Sequence, residues 1–255
     1  MTEPCDEFTE DAFFGGKLRL RQPKSGHRAG HDAMLLAAAT PVRPGDRVVE
    51  FGAGVGAAGL AVAKRAGGIN LVLVEIDEKL ADLARGNAVS NAVGADVIVL
   101  DVTSAAAAYT AAGLPPDSVD AVLMNPPFND SARHRASPDK ARASAHVASA
   151  ATLEGWIHAG RRILKSGGVL AMIWRADGIA EVLAALDRGF GSLVILPVHA
   201  DATSPAIRVL VRAVKGGKAP TRVLPALILN DEAARPNQRV QDILAGKGVL
   251  PLATP

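Results

Sequence analysis

Two short stretches of the chain combine side chains and backbone suited to gripping a small molecule: E-F-G-A-G-V-G at residues 50–56 and N-P-P-F at residues 125–128. In the first, Gly52, Gly54 and Gly56 follow an apolar run. Glycines at a strand-to-helix turn let a ligand approach the backbone because no Cβ intervenes. Glu50 places a carboxylate at the end of that run, which suits a cationic amino group better than a pyrophosphate. Ala57 also lets the stretch be read as G-x-G-x-x-A, the fingerprint of a nicotinamide dinucleotide site, and a glycine turn without any ligand is the plain alternative. Glu75 stands far enough along to hold ribose hydroxyls with its two oxygens under either cofactor reading. Asp101 could accept a hydrogen bond from an adenine amine, with Val102 beside it, or serve only as a turn former.

The second stretch ends an apolar run at Met124. Neither Pro126 nor Pro127 has an N–H, and each biases the residue before it toward an extended shape. Asn125 and Pro126 therefore form a stiff corner in which a carboxamide oxygen and a main-chain carbonyl are free to accept the two hydrogens of a planar amine. Phe128 could stack on the ring that bears that amine. A tight proline turn alone accounts for the prolines, but not for the amide and the ring on either side of them.

Alternating apolar runs and helical patterns must position these groups. RVVEF (47–51), LVLVE (71–75), DVIVLD (96–101), AVLM (121–124) and VLAMIW (169–174) read as buried strands, each separated from the next by a helical or turn segment. HDAMLLAAA (31–39) reads as a helix with Asp32 as its N-cap. Further helices are expected over 78–91, from Leu153 to Leu164 up to a stop at S-G-G (166–168), and over 178–188. SLVILPV (192–198) and AIRVLVRAV (206–214) lack a helix between them and should pair antiparallel. The alternation predicts a doubly wound, Rossmann-like, mainly parallel α/β sheet of seven strands with an antiparallel last strand. Ligands then belong beyond the strand ends at Phe51, Glu75, Leu100 and Met124. The expected organisation is a flexible arm over 1–12, a catalytic domain over 13–215 and a Pro-, Gly- and charge-rich appendage over 216–255 with a short helix near Val240.

The net charge of +2 is too small to identify a nucleic-acid binder, but the basic residues cluster. Lys17, Arg19, Arg21, Lys24 and Arg28 fall where no acid intervenes, and Arg133, His134, Arg135, Lys140 and Arg142 follow the N-P-P-F stretch. Cys5 is the only cysteine, so no intrachain disulfide can form. The acidic N-terminus does not suit a secretory signal and no apolar run reaches the length of a membrane span, which makes a cytoplasmic protein the expectation. His27 and His31 have metal-pair spacing but no evident third ligand, so no metal is expected.

E-F-G-A-G-V-G, Glu75, Asp101 and N-P-P-F in this order resemble the class I S-adenosylmethionine-dependent methyltransferases that methylate exocyclic amines. The stretch from Phe13 to Ala39 is similar to that of the bacterial tRNA-Val adenine N(6)-methyltransferase family, and the resemblance runs to about Val214. It implies that Glu50, Gly52, Gly54 and Gly56 surround the methionine part of S-adenosylmethionine. Glu75 and Ile76 would then lie at the ribose, Asp101 and Val102 at the adenine, and Asp32 near the methionine end, with Asn125, Pro126, Pro127 and Phe128 at the reacting amine. An RNA substrate, most simply tRNA, follows from the same resemblance. Methylation of an rRNA guanine or a protein glutamine is the near alternative, and a nicotinamide-dependent oxidoreductase the distant one.

Overall fold

The computed structural model describes residues 8–25, 28–127, 138–231 and 233–254, with backbone only over 138–150. The chain opens with an antiparallel hairpin, β1 (Phe8–Phe13) and β2 (Leu18–Pro23), and passes into helix α1 (His31–Ala39). Strands and helices then alternate: β3 (Arg47–Phe51), α2 (Ala57–Ala66), β4 (Asn70–Glu75), α3 (Glu78–Ser90), β5 (Ala95–Val99), α4 (Ala106–Ala111), β6 (Val119–Met124), α5 (Pro138–Ile163), β7 (Leu164–Arg175) and α6 (Ile179–Leu186). β8 (Phe190–His199) and β9 (Ala206–Lys215) follow without a helix between them, and the tail adds β10 (Arg222–Val223), β11 (Leu227–Ile228) and α7 (Gln238–Leu244).

The central sheet has the order β10-β8-β9-β7-β6-β3-β4-β5, with β11 also on β8. Pairing is parallel from β7 through β6, β3 and β4 to β5, while β9 runs antiparallel to both β7 and β8. This is the expected doubly wound, mainly parallel architecture with its antiparallel strand. The sheet has nine strands rather than seven because two short strands of the tail join its β8 edge.

Side-chain alternation divides the core into two layers. Val48, Leu71, Leu73, Leu123 and Ile173 pack with α1, α2, α3, the hairpin and α7 on one face. Val49, Phe51, Val72, Val74, Val122 and Met124 pack with Tyr109, α5 and α6 on the other. Strands buried on both faces need apolar residues at every position, which is why they read as continuous runs. Among the described residues no helix is long and apolar enough to cross a membrane.

Four sequence expectations change. The arm expected over 1–12 is, from Phe8 on, a strand of the hairpin. Its partner β2 buries Leu18, Leu20 and Gln22 and turns Arg19 and Arg21 outward, a period-2 pattern hidden under basic composition. β2 pairs with β1, and it is also held by two side-chain amides at the end of α3, Asn87 in its last turns and Asn91 at its C-cap. Asn91 accepts from Arg19 N–H (2.9 Å) and donates to Arg19 C=O (2.6 Å), while Asn87 accepts from Arg21 N–H (2.8 Å) and donates to Arg21 C=O (3.1 Å). Four helical residues rise about 6 Å and two strand residues about 6.6 Å, so amides four apart match alternate strand residues. The tail is packed rather than appended: α7 buries Val240 and Ile243, Leu252 is fully buried, and Leu250 N–H bonds Ala38 C=O. S-G-G does not separate helix from strand, because β7 begins at Leu164 and these residues form an irregularity between the pairs Val119–Leu164 and Ala121–Val169. Finally, Gly30 and not Asp32 is the N-cap of α1.

Candidate active site

β3 and β6 are neighbours whose outgoing connections take opposite faces, α2 toward one core layer and α5 toward the other. A crevice opens beyond the strand ends at such a reversal. The pairing of Phe51 with Met124 sets Gly52 and Asn125 abreast at its mouth.

The glycine turn is shaped from both sides. At Gly52 the backbone is left-handed (φ +62°), and a Cβ would overlap the indole of Trp156 from α5. That indole lies edge-on to Phe51 with ring centroids 6.4 Å apart. At Gly54 the backbone is again left-handed (φ +55°), but the space a Cβ would occupy is open. Gly54 N–H donates to Glu75 Oε2 at 2.7 Å, and Glu75 Oε1 accepts from Ile76 N–H (2.9 Å) and Asp77 N–H (3.0 Å). Glu75 is therefore a buried carboxylate that ties the ends of β3 and β4 together beside an open backbone. Ile76, next to it, is 63% exposed, an apolar platform at the crevice.

Glu50 departs from its expected posture. Its Oε2 accepts from Gly59 N–H at 2.7 Å, so the carboxyl expected to meet a ligand's amino group is turned onto the first turn of α2. Gly59 permits this, since a Cβ there would stand 2.7 Å from that oxygen. Burial raises the Glu50 pKa to about 8, opposed by the backbone N–H groups of Gly59 and Ala58 and reinforced by the charge of Glu75.

Asp101 adopts its turn-forming alternative: Oδ1 accepts from Thr103 N–H (2.7 Å) and Thr103 Oγ1 (2.8 Å), and the residue is exposed. Val102 is buried, its carbonyl accepting from Tyr109 Oη at 2.7 Å. The Tyr109 hydroxyl is pushed well above its ordinary pKa by that burial. Asp32, in the first turn of α1, accepts from Arg208 Nε at 2.9 Å, and Arg208 pairs with Arg175 at the carboxyl end of β7.

At the diproline corner, Pro126 is buried and Pro127 exposed. Asn125 Oδ1 is buried without a hydrogen-bond partner among the described residues. Phe128, His27 and the basic residues Arg133, His134 and Arg135 lie outside the described residues, as do the side chains of Lys140 and Arg142. Among the described residues no three His, Cys, Asp or Glu side chains gather as metal ligands.

The structure thus gathers Gly52, Gly54, Glu75, Ile76 and Asn125 around one crevice, with Glu50 and Asp32 bonded into its walls. Sequence reasoning missed Trp156 as the reason for Gly52, Arg208 as the partner of Asp32, and Asn87. A signal for Asn87 was present: it lies three residues beyond Ala84 on the buried face of α3.

The methyltransferase small domain family matches residues 25–198. The tRNA1(Val) (adenine(37)-N6)-methyltransferase of Dickeya chrysanthemi is 26% identical over 234 residues, 89% of this chain and 88% of that protein. Its namesake in Pedobacter heparinus is 27% identical over 79% of this chain and 83% of its own length. Among solved structures, a predicted O-methyltransferase of Agrobacterium tumefaciens is 32% identical, covering 86% of this chain and 98% of its own, with a TM-score of 0.72. M. jannaschii TYW2, solved in complex with AdoMet, shares the fold at 13% identity, covering 84% of this chain and 88% of its own, with a TM-score of 0.54. With two-thirds of its length matched, built around a crevice of this design, the chain belongs to the methyltransferase small domain family.

Proposed function

We propose that the protein transfers the methyl group of S-adenosylmethionine to the exocyclic N(6) amine of an adenine in tRNA. The observation that carries this reading is the buried Oδ1 of Asn125 at the mouth of the crevice, which has no partner among the described residues. A buried acceptor left unsatisfied costs about 1–3 kcal/mol, and such groups are retained where a ligand supplies the missing donor. An exocyclic amine has two hydrogens to give. Asn125 Oδ1 takes one, and the carbonyl of Pro126, fixed in the same corner, takes the other. Acceptance of both hydrogens draws the nitrogen toward tetrahedral geometry and frees the lone pair that the ring otherwise withdraws.

The residues present fit the methyl donor. Gly54 leaves backbone open, Glu75 brings a buried carboxylate to the level of a ribose, and the exposed Ile76 offers an apolar surface to an adenine. Bound there, S-adenosylmethionine supplies an electrophilic methyl on a sulfonium, with no metal required. The protein's contribution is alignment, which can lower a barrier by about 7–11 kcal/mol. Glu50 and Asp32 act from the walls: Glu50 fixes α2 against β3, and Asp32 holds Arg208. The adenine must be unstacked to enter. The adenine-specific names of the Dickeya and Pedobacter relatives support the choice of base.

The test is incubation of the protein with labelled S-adenosylmethionine and total tRNA, followed by digestion to nucleosides. Label in N(6)-methyladenosine is the expected result. Label in guanosine, or in protein glutamine when a protein extract competes, overturns the assignment of the acceptor.

A further inference from the structure

Asn87 bonds to the basic hairpin and to the glycine turn at once. Its carboxamide is 1% exposed and fully used: Oδ1 accepts from Arg21 N–H, and Nδ2 donates to Arg21 C=O (3.1 Å) and to Val55 C=O (3.0 Å). Val55 lies between Gly54, whose N–H is held by Glu75, and Gly56, whose N–H is held by Ala53 C=O. The Asn87 bond therefore holds, from its carbonyl side, the same Val55–Gly56 peptide plane that the Gly56 N–H bond holds from the other, so that plane is fixed at both ends. Asn91, one helical turn on, makes the same paired bond to Arg19 but spends its second Nδ2 hydrogen on its own helix, at Asn87 C=O (2.8 Å). The two amides are alike toward the hairpin and differ in that Asn87 alone of the pair reaches the crevice.

We propose that Asn87 is a positioning residue for the cofactor, which fixes the glycine turn through Val55 and ties that turn to β2 through Arg21, so that docking of the basic hairpin and affinity for the methyl donor are linked. The inference rests on the reading of the crevice as an S-adenosylmethionine site. Its physical basis is that glycines give the turn no intrinsic preference for the shape it holds, so the shape must come from outside bonds. Linkage through this one residue is reciprocal: whatever loosens β2 at Arg21, where Asn87 holds it, weakens the cofactor, and cofactor binding stiffens β2 there, whereas the bonds of Asn91 at Arg19 stop short of the turn.

The discriminating substitution is Asn87→Asp, which keeps size and the Oδ1 acceptor, removes both donated hydrogens and sets oxygen against Val55 C=O. Asn91→Asp is the matched control. Calorimetric titration with S-adenosylmethionine, alongside urea denaturation, gives the outcome. Both variants lose similar stability, but Asn87→Asp weakens binding about tenfold while Asn91→Asp changes it less than about twofold. In the free protein, amide hydrogen exchange over residues 53–57 rises with Asn87→Asp and not with Asn91→Asp. Equal affinities in the two variants overturn the positioning role. Should Asn87→Asp not fold, Leu20→Ala loosens β2 without touching either amide: weakened affinity supports the link and unchanged affinity overturns it. Failure of the unsubstituted protein to bind S-adenosylmethionine instead overturns the methyl-donor reading itself, and the inference with it.

Discussion

Asn125 and Glu50 show two different uses of a buried polar group. Asn125 carries a buried acceptor with no partner among the described residues, a cost that the proposed contact with the substrate amine would meet. Asn125→Ala should lower methyl transfer by about 10²–10³-fold or more, by the yardstick of a lost transition-state hydrogen bond. Affinity for S-adenosylmethionine should stay within a few fold, and thermal stability should not fall, because an unsatisfied group has been removed; single-turnover rates, calorimetry and melting curves read the three quantities. Glu50 is bonded through Oε2 to Gly59 but desolvated, and burial raises its pKa from 4.5 to about 8. Over that interval the unfolded chain has released this proton and the folded one retains it. The group's stabilising contribution is thus complete below about pH 4.5 and is lost as the pH rises through about 8. Carboxylates with lowered pKa, such as Asp11 beside Gln22 and Asp120 beside Lys165, act in the opposite sense at acid pH. The comparison therefore belongs between the protein and Glu50→Gln, which keeps an acceptor for Gly59 and should flatten the fall in urea stability between pH 5 and 8, by an amount on the order of a few kcal/mol.

At the scale of elements, the site depends on how closely α5 can approach β3. Trp156 sits where a side chain at residue 52 would be, and Phe51 packs against it edge-on. Gly52→Ala must both adopt a left-handed backbone and displace the indole, so it should cost about 2–4 kcal/mol in chemical denaturation. The runs that became β3 to β9 were legible in the sequence because strands covered on both faces leave unbroken Val, Leu and Ile. The G-x-G-x-G turn was legible because a strand precedes it and a helix follows. The postures of the acids were not. Glu50 turns toward Gly59, and Asp32 toward Arg208 at a separation of 176 residues, and neither partner is marked by spacing. The hairpin was hidden for a related reason: β1 lies in the polar, acidic stretch expected as an arm, and the outward Arg19 and Arg21 made β2 look like a basic cluster, although its buried positions pack and its backbone bonds to β1 and to the amides of Asn87 and Asn91.

For the whole molecule, the last forty or so residues matter as much to stability as any core element. Buried Arg212 of β9 donates through Nη1 to the carbonyls of Leu252 (3.1 Å) and Thr254 (2.5 Å), and Leu252 is sealed into the core layer that also holds α1. Leu252→Ala should therefore cost about 2–5 kcal/mol in urea denaturation, as for any buried leucine, although residue 252 is far from the crevice in the chain. Composition concealed this, since a Pro- and Gly-rich stretch reads as a tail whether or not its few apolar residues are buried. The placement of β9 between β7 and β8 carries a consequence for how the chain is built. β8 leaves the ribosome first, yet its neighbours in the sheet are β9, β10 and β11, all synthesised later. A nascent chain halted before residue 206 holds β8 without a strand partner and β7 as an open sheet edge, and the molecule closes only when the returning β9 slips between the two.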